Sequence, residues 1–402
     1  MPLRDRNVVL GVSGSIAAYK SADLASKLVQ AGAKLDVVLT DAAQEFIAPF
    51  TFRSLTGRPV YMSMFEPVTD DAEEHVTLAR RADLVIIAPA TATTLARLAH
   101  GLADDMLSLT VLATRAPLLV APAMDSQMWE AAATQHNVHT LQERGVTFVG
   151  PVTGRLASGL SGSGRMVEPE TIVGAAKQLL ARNGDLAGRH IVVSAGGTRE
   201  PIDPVRVITN RSSGKMGYAL AEAARDRGAS VTLVSTVDLP VPFGVRLATV
   251  QSVVDMRDAV LEACTSADAL IMAAAVSDFR PADASGQKIK KGEGGLVLTL
   301  VKNDDFLLEV SDSVVKVGFA AETEDLIENA SRKLIEKRLD LIVANDVSSS
   351  DAGFEVDTNR VTILDRDGGR EDVPLMGKYD VSQRILDRVV SVLDRRRPRS
   401  AP

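Results

Sequence analysis

The chain has 402 residues, with 45 lysines and arginines against 52 aspartates and glutamates, a net charge of −7, and 46% hydrophobic against 24% charged residues. That length exceeds what one hydrophobic core usually organises. The balance excludes a disulfide-stapled miniprotein, a disordered chain and any general electrostatic drive toward nucleic acid or an anionic membrane. Cys264 has no second cysteine to pair with, and the start lacks a basic segment followed by a long apolar run, so a cytoplasmic location is expected. Apolar stretches such as 83–90 and 267–276 are too short to span a bilayer and read as buried strands.

In chain order, residues 8–13 read as a β-branched strand breaking at Gly14. Residues 15–30 follow as a helix with Ile16, Leu24 and Leu28 on one face, and residues 35–40 as the next strand, together a right-handed βαβ unit. Further strands at 84–88 and 118–121 are nearly all apolar, as strands covered on both faces should be. Each runs into a loop rich in Pro, Ala, Thr or Met, and ligands are expected at those carboxyl ends. A helix at 169–181, a break at Arg182-Asn-Gly-Asp185 and a new strand at 191–194 divide the chain into domains 1–185 and 186–402. The second half restarts the same grammar with Gly196-Gly197-Thr198, a helix at 215–227 and a strand at 231–234. The expected fold class is therefore α/β, two tandem doubly wound Rossmann-like domains. Arg395, Arg396, Arg397 and Arg399 read as a frayed tail.

Small residues in Gly11-Val-Ser-Gly-Ser-Ile-Ala-Ala-Tyr-Lys20 leave amides at a helix start free to face an anion, although a tight structural turn fits equally. The string is not GxGxxG, and the second strand ends at Thr40 rather than an acid, which suits a mononucleotide better than a dinucleotide. His75, read alone, is an ordinary surface or core histidine that is chemically able to move protons. His136 and His139 have neither an HExxH context nor a cysteine partner, so no zinc site is assigned. The glycine-dense stretch 156–166 reads as a mobile flap or a bland loop. In the second half, Ser212-Ser-Gly-Lys-Met-Gly217 suits phosphate but is not a Walker A loop, because no Ser or Thr follows the lysine. Lys288, Lys290 and Lys291 form either a solvated hairpin or, with Lys333 and Lys337 one helical turn apart, a triphosphate clamp.

These strings, together with Ala88-Pro-Ala-Thr-Ala-Thr-Thr94, Ala99-His-Gly-Leu-Ala-Asp-Asp105 and Ala121-Pro-Ala-Met-Asp-Ser-Gln-Met-Trp129, resemble the flavin-containing cysteine decarboxylases, whose domain is flavodoxin-like. The second half resembles phosphopantothenate-cysteine ligases through Ser194-Ala-Gly-Gly-Thr-Arg-Glu-Pro-Ile-Asp-Pro-Val-Arg206, Asn210-Arg-Ser-Ser-Gly-Lys-Met-Gly217, Ala273-Ala-Ala-Val-Ser-Asp278 and Lys288-Ile-Lys-Lys291. The order of the halves is that of the bifunctional bacterial enzymes of coenzyme A biosynthesis. The resemblance implies FMN held by Gly14, Ser15, Thr40, Ala90, Thr91 and Met124, with His75, Asp125 and Ser158 in the decarboxylase site. A β-thiol carboxylate has no electron sink for its carbanion; oxidation to a thioaldehyde creates one, and the electrons then return to the enethiol. The family pattern has Asn and Cys where this chain has Asp125 and Ser158. Asp125 thus brings negative charge toward a substrate carboxylate, and Ser158 is a weaker acid than a thiol.

For the ligase half, the resemblance implies that 4'-phosphopantothenate attacks CTP at the α-phosphate, releasing pyrophosphate. L-cysteine then displaces CMP from the acyl-cytidylate. Nucleotide contacts are expected at Asp278, Lys288, Asp304, Asp305, Phe306, Leu307, Phe319, Lys333 and Lys337, with Asn210 on the acyl-cytidylate and Arg206 beside it. Phe319 fits a strand core equally well. Magnesium is expected, although its protein ligands are not readable from spacing. The resemblance implies a trimer-forming decarboxylase and a dimer-forming ligase, whose threefold and twofold contacts would combine in a dihedral or tetrahedral homo-oligomer, such as a dodecamer. The competing readings are a flavin-binding regulatory protein with an inactive decarboxylase domain and an NAD-linked oxidoreductase; the missing dinucleotide fingerprint disfavours the second.

Overall fold

Val8, Val9, Leu10 and Val12 are each completely buried, with no polar alternation, because helices cover both faces of the strand they form. The computed structural model describes residues 2–66, 68–69, 73–157, 159–290, 296–322, 325–346 and 356–396. It divides into two units, Met1–Ala181 and Arg182–Pro402.

In the first unit β1 (Asn7–Val12), β2 (Lys34–Leu39), β3 (Val60–Tyr61), β4 (Leu84–Ala90), β5 (Leu118–Pro122) and β6 (Thr147–Phe148) form one parallel sheet ordered β3-β2-β1-β4-β5-β6. The order reverses between β1 and β4, which opens a crevice at their carboxyl ends. The first helix begins at Ala18, later than expected, because Ser15 Oγ accepts from Ala17 N at 3.3 Å and holds a turn there instead. Asp36, buried within β2, meets Arg58 and Arg81, each at 2.8 Å. The glycine-dense stretch is partly ordered as a hairpin: β7 (Val152–Arg155) pairs antiparallel with β8 (Ser161–Arg165), and Gly154 faces Gly162.

The second unit holds β9 (His190–Ala195), a small antiparallel pair β10 (Arg199–Pro201) and β11 (Val207–Thr209), then β12 (Ser230–Ser235), β13 (Arg246–Thr249) and β14 (Ala269–Met272). A second small pair, β15 (Phe279–Pro281) and β16 (Leu300–Lys302), precedes β17 (Val315–Glu322), β18 (Leu341–Asp346), β19 (Thr358–Asp365) and β20 (Arg370–Gly377). The main sheet runs β13-β12-β9-β14-β17-β18-β19-β20, parallel as far as β18 and antiparallel thereafter. Alternate residues of its strands serve two cores. Ile191, Val193 and Val343 pack with Leu220, Ile385 and Val389 on one face, while Val192, Leu270 and Ile342 pack with Met256, Val260 and Leu334 on the other. The reversal lies between β9 and β14.

Arg395 and Arg396 correct the expectation of a frayed end. Both belong to the helix Lys378–Arg396, and Arg396 pairs with Asp340, a carboxylate only 2% exposed that Arg366 also meets at 3.5 Å. Arg397 and Arg399 lie outside the described residues.

Candidate functional site

In the first unit, the sheet topology gathers residues that are far apart in sequence. Gly14 and Ser15 follow β1, Thr40 follows β2, Ala90 ends β4 and Thr91 follows it, and Met124 and Asp125 follow β5. Four neighbouring strands therefore deliver every expected flavin contact to one edge, across the switch point. Ser13 Oγ donates to Pro89 O at 2.8 Å and accepts from Thr91 N at 3.1 Å, tying the two inner loops together. Thr91 and Thr40 cap short helices through Thr94 N and Ala43 N, each at 3.3 Å. A Cβ on Gly14 would sit 2.4 Å from Ala42 Cβ, so the glycine is required by loop packing as well as by any ligand. The donor set fits a flavin mononucleotide: hydroxyls and amides converge on the crevice, and no acid ends β2 to repel a phosphate.

His75 lies in the first turn of the helix Glu74–Arg81, rather than before it, and is half-buried. That helix leads into the start of β4, so its first turn lies toward the carboxyl edge where the expected flavin contacts collect. Asp125 caps the next helix, its Oδ1 accepting from Gln127 N at 3.0 Å. Met124 N donates to Gly164 O at 3.0 Å, and a Cβ at Gly164 would lie 2.3 Å from Met124 O, so the hairpin is seated against this loop. Ser158 lies outside the described residues.

In the second unit a cavity of about 950 Å³ opens at the switch point. Asn210, Asp278, Asp304, Asp305, Phe306, Leu307, Phe319, Lys333 and Lys337 all line it, although they come from five separate stretches of chain. Asn210 Nδ2 donates to Val276 O at 3.1 Å. A Cβ on Gly197 would lie 2.3 Å from Asn210 O, so this glycine allows the loop to close. Lys337 meets Asp305 at 3.0 Å, and Asp305 also accepts from Leu307 N at 3.2 Å. Phe319 is half-buried, packed against a core yet also on the cavity wall.

Arg206 and Lys288 do not line this cavity. Arg206 Nη2 donates to Ile289 O at 2.5 Å, while Asp203 accepts from Ile289 N at 3.1 Å and pairs with Arg206 at 3.2 Å. Arg206 therefore anchors the segment that carries Lys288 and Lys290; Lys291 lies outside the described residues. The Asp203 carboxyl is held below the ordinary range despite desolvation, because three backbone amides and Arg206 stabilise its charge.

Sequence reasoning missed Asn303, Asn345, Asn359 and Lys378, all of which line the cavity. Asn303 bridges the loop, donating to Ser277 O at 2.8 Å and accepting from Arg280 at 2.7 Å. These residues form no motif and meet only through the sheet.

Residues 2–181 match the Flavoprotein family, and residues 186–393 match the family described as DNA/pantothenate metabolism flavoprotein C-terminal domain. The coenzyme A biosynthesis bifunctional protein CoaBC of Bacillus subtilis (strain 168) is 47% identical over 397 residues, covering 97% of this chain and 98% of that one. A solved C-terminal domain of a CoaBC protein is 39% identical over 53% of this chain and 100% of its own, with a TM-score of 0.46. A solved PPC decarboxylase mutant complexed with pantothenoylaminoethenethiol is 33% identical over 43% of this chain and 97% of its own, with a TM-score of 0.39. Among the described residues no helix is long and apolar enough to cross a membrane.

Proposed function

The chain belongs to the CoaBC family, bifunctional enzymes of coenzyme A biosynthesis that join a phosphopantothenate-cysteine ligase to a phosphopantothenoylcysteine decarboxylase, and from that premise we propose how its residues divide the two reactions. The observation that carries the ligase assignment is the convergence of nine expected residues on one cavity. There the nucleotide is CTP, and Lys333 and Lys337 offset its charge. Lys337 exchanges Asp305 for the ligand. Asn210 orients the acyl-cytidylate while the cysteine amine attacks, and Arg206 holds the Lys288 segment ready to approach the phosphates from outside the cavity wall. The boundary between the two activities falls near residue 185. Mass spectrometry of products from 4'-phosphopantothenate, L-cysteine and CTP tests this reading: phosphopantothenoylcysteine and CMP are expected, and their absence would overturn it.

In the first unit the loops after β1, β2, β4 and β5 hold FMN, which when bound takes up the two electrons of the thiol and returns them after CO2 has left. His75 orients the substrate carboxylate or moves its proton at the crevice edge. Asp125 keeps the cap at Gln127 N that an asparagine makes equally well. Asp125→Asn is therefore expected to retain decarboxylase activity within about 3-fold, because Asn and Asp cap nearly alike. A loss of activity with flavin still bound, read by visible absorbance, would show that the charge itself is required.

Each unit also exposes large apolar side chains, Tyr19, Phe50 and Phe65 in the first and Val205, Val207 and Phe279 in the second. Their burial between copies suits the homo-oligomer, up to a dodecamer. Light scattering is expected to give a mass well above 42.7 kDa; a monomer at working concentration would refute the assembly.

A further inference from the structure

Asp36 and Glu74, buried carboxylates of the first unit, have no part in the decarboxylase reading, yet both grip the helix that carries His75. Glu74 is the residue before His75 in the first turn of Glu74–Arg81, and it is only 7% exposed. Its side chain turns back along the chain, where Oε1 accepts from Val68 N at 2.8 Å, from Thr69 N at 2.7 Å and from Thr69 Oγ1 at 2.8 Å. All these donors converge on a single oxygen, so what segment 68–69 requires of residue 74 is an acceptor at that reach. At the other end of the helix, Arg81 meets Asp36, wholly buried within β2, at 2.8 Å and donates to Tyr61 Oη at 3.2 Å.

The helix is 8 residues long, too short to be stable alone, and no side chain caps its N-terminus. Its position is therefore set by what holds it. Leu78 and Ala79 pack with Val85, Ile87 and Leu107, and Thr114 Oγ1 donates to Ala79 O at 2.9 Å, which fixes the middle of the helix. Arg81 and Asp36 hold its far end. At the first turn it is Glu74 that ties the helix to the chain before it. Resting on the reading that His75 serves the decarboxylation, the geometry points to Glu74 as a positioning residue, whose carboxylate binds segment 68–69 to the helix start and so sets where His75 stands at the crevice edge. Displacing a reacting group by about 1 Å costs on the order of 10²-fold in rate. The simpler role for an acid in a first turn, compensating the helix dipole, makes the opposite demand on substitutions: it needs charge at the helix start and no particular reach.

The test uses the full chain with phosphopantothenoylcysteine, following CO2 release while visible absorbance records the flavin. Glu74→Ala is expected to lower kcat about 10- to 100-fold with KM within about threefold of wild type and flavin retained, because what is lost is felt only in the reacting geometry. Glu74→Gln restores kcat to within about threefold, since its carboxamide oxygen accepts from the same donors at the same reach. Glu74→Asp does not, because its carboxylate falls one methylene short of Val68 and Thr69. The Gln and Asp variants decide the matter even if Glu74→Ala loses its flavin. Rescue by Glu74→Asp, failure of Glu74→Gln, a defect confined to KM, or wild-type kcat in Glu74→Ala each overturns the positioning role and leaves His75 in the site. Near-normal turnover of His75→Asn overturns the His75 reading itself and the positioning role with it.

Discussion

Asn210→Asp is expected to leave pyrophosphate release running while phosphopantothenoylcysteine formation falls about 10²- to 10³-fold, the usual cost of removing one positioned donor from a reacting acyl group. The reason lies in one contact. Asn210 Nδ2 donates to Val276 O at 3.1 Å, which fixes the loop after β11 against the loop after β14. A carboxylate in the same place has no hydrogen to give, so two oxygens oppose each other and the loops part where the intermediate must sit. It also brings negative charge beside an acyl-phosphate. Separate assays for pyrophosphate and for peptide product distinguish stalling from loss of CTP binding; equal rates in both assays would remove Asn210 from the site.

His75→Asn is expected to reduce decarboxylation about 10³-fold, within the range for a lost general acid or base, without releasing flavin. Asparagine is close in size and keeps a donor and an acceptor, so the first turn of Glu74–Arg81 should survive, but it cannot exchange a proton near neutral pH. The expected flavin contacts come from the ends of β1, β2, β4 and β5, none of which depends on His75 for a described hydrogen bond. Visible absorbance at the wild-type ratio, together with loss of CO2 release, is the predicted pair of results. Near-normal turnover would return His75 to the status of an ordinary surface histidine.

The sequence by itself determined the fold class and the motif-borne contacts, because their signals are local. An apolar run such as Leu84-Val-Ile-Ile-Ala88 cannot be solvated, and Gly14 or Gly197 stands where a Cβ would strike a neighbouring loop. Motifs pointed to Asn210 and Asp278 for the same reason: each string is read within a few residues. Only the tertiary structure decided that these strings meet. Lys333 and Lys337 reach the same cavity as Asn210 because β9, β14 and β17 are neighbours in the sheet, an order that spacing does not encode. It also set Arg206 and Lys288 off the cavity wall and fastened Arg396 to a buried aspartate. Asn345, Asn359 and Lys378 were invisible in the chain because an isolated polar residue acquires meaning only from burial and from what surrounds it. Those properties arise when β18, β19 and two helix starts are packed into one corner.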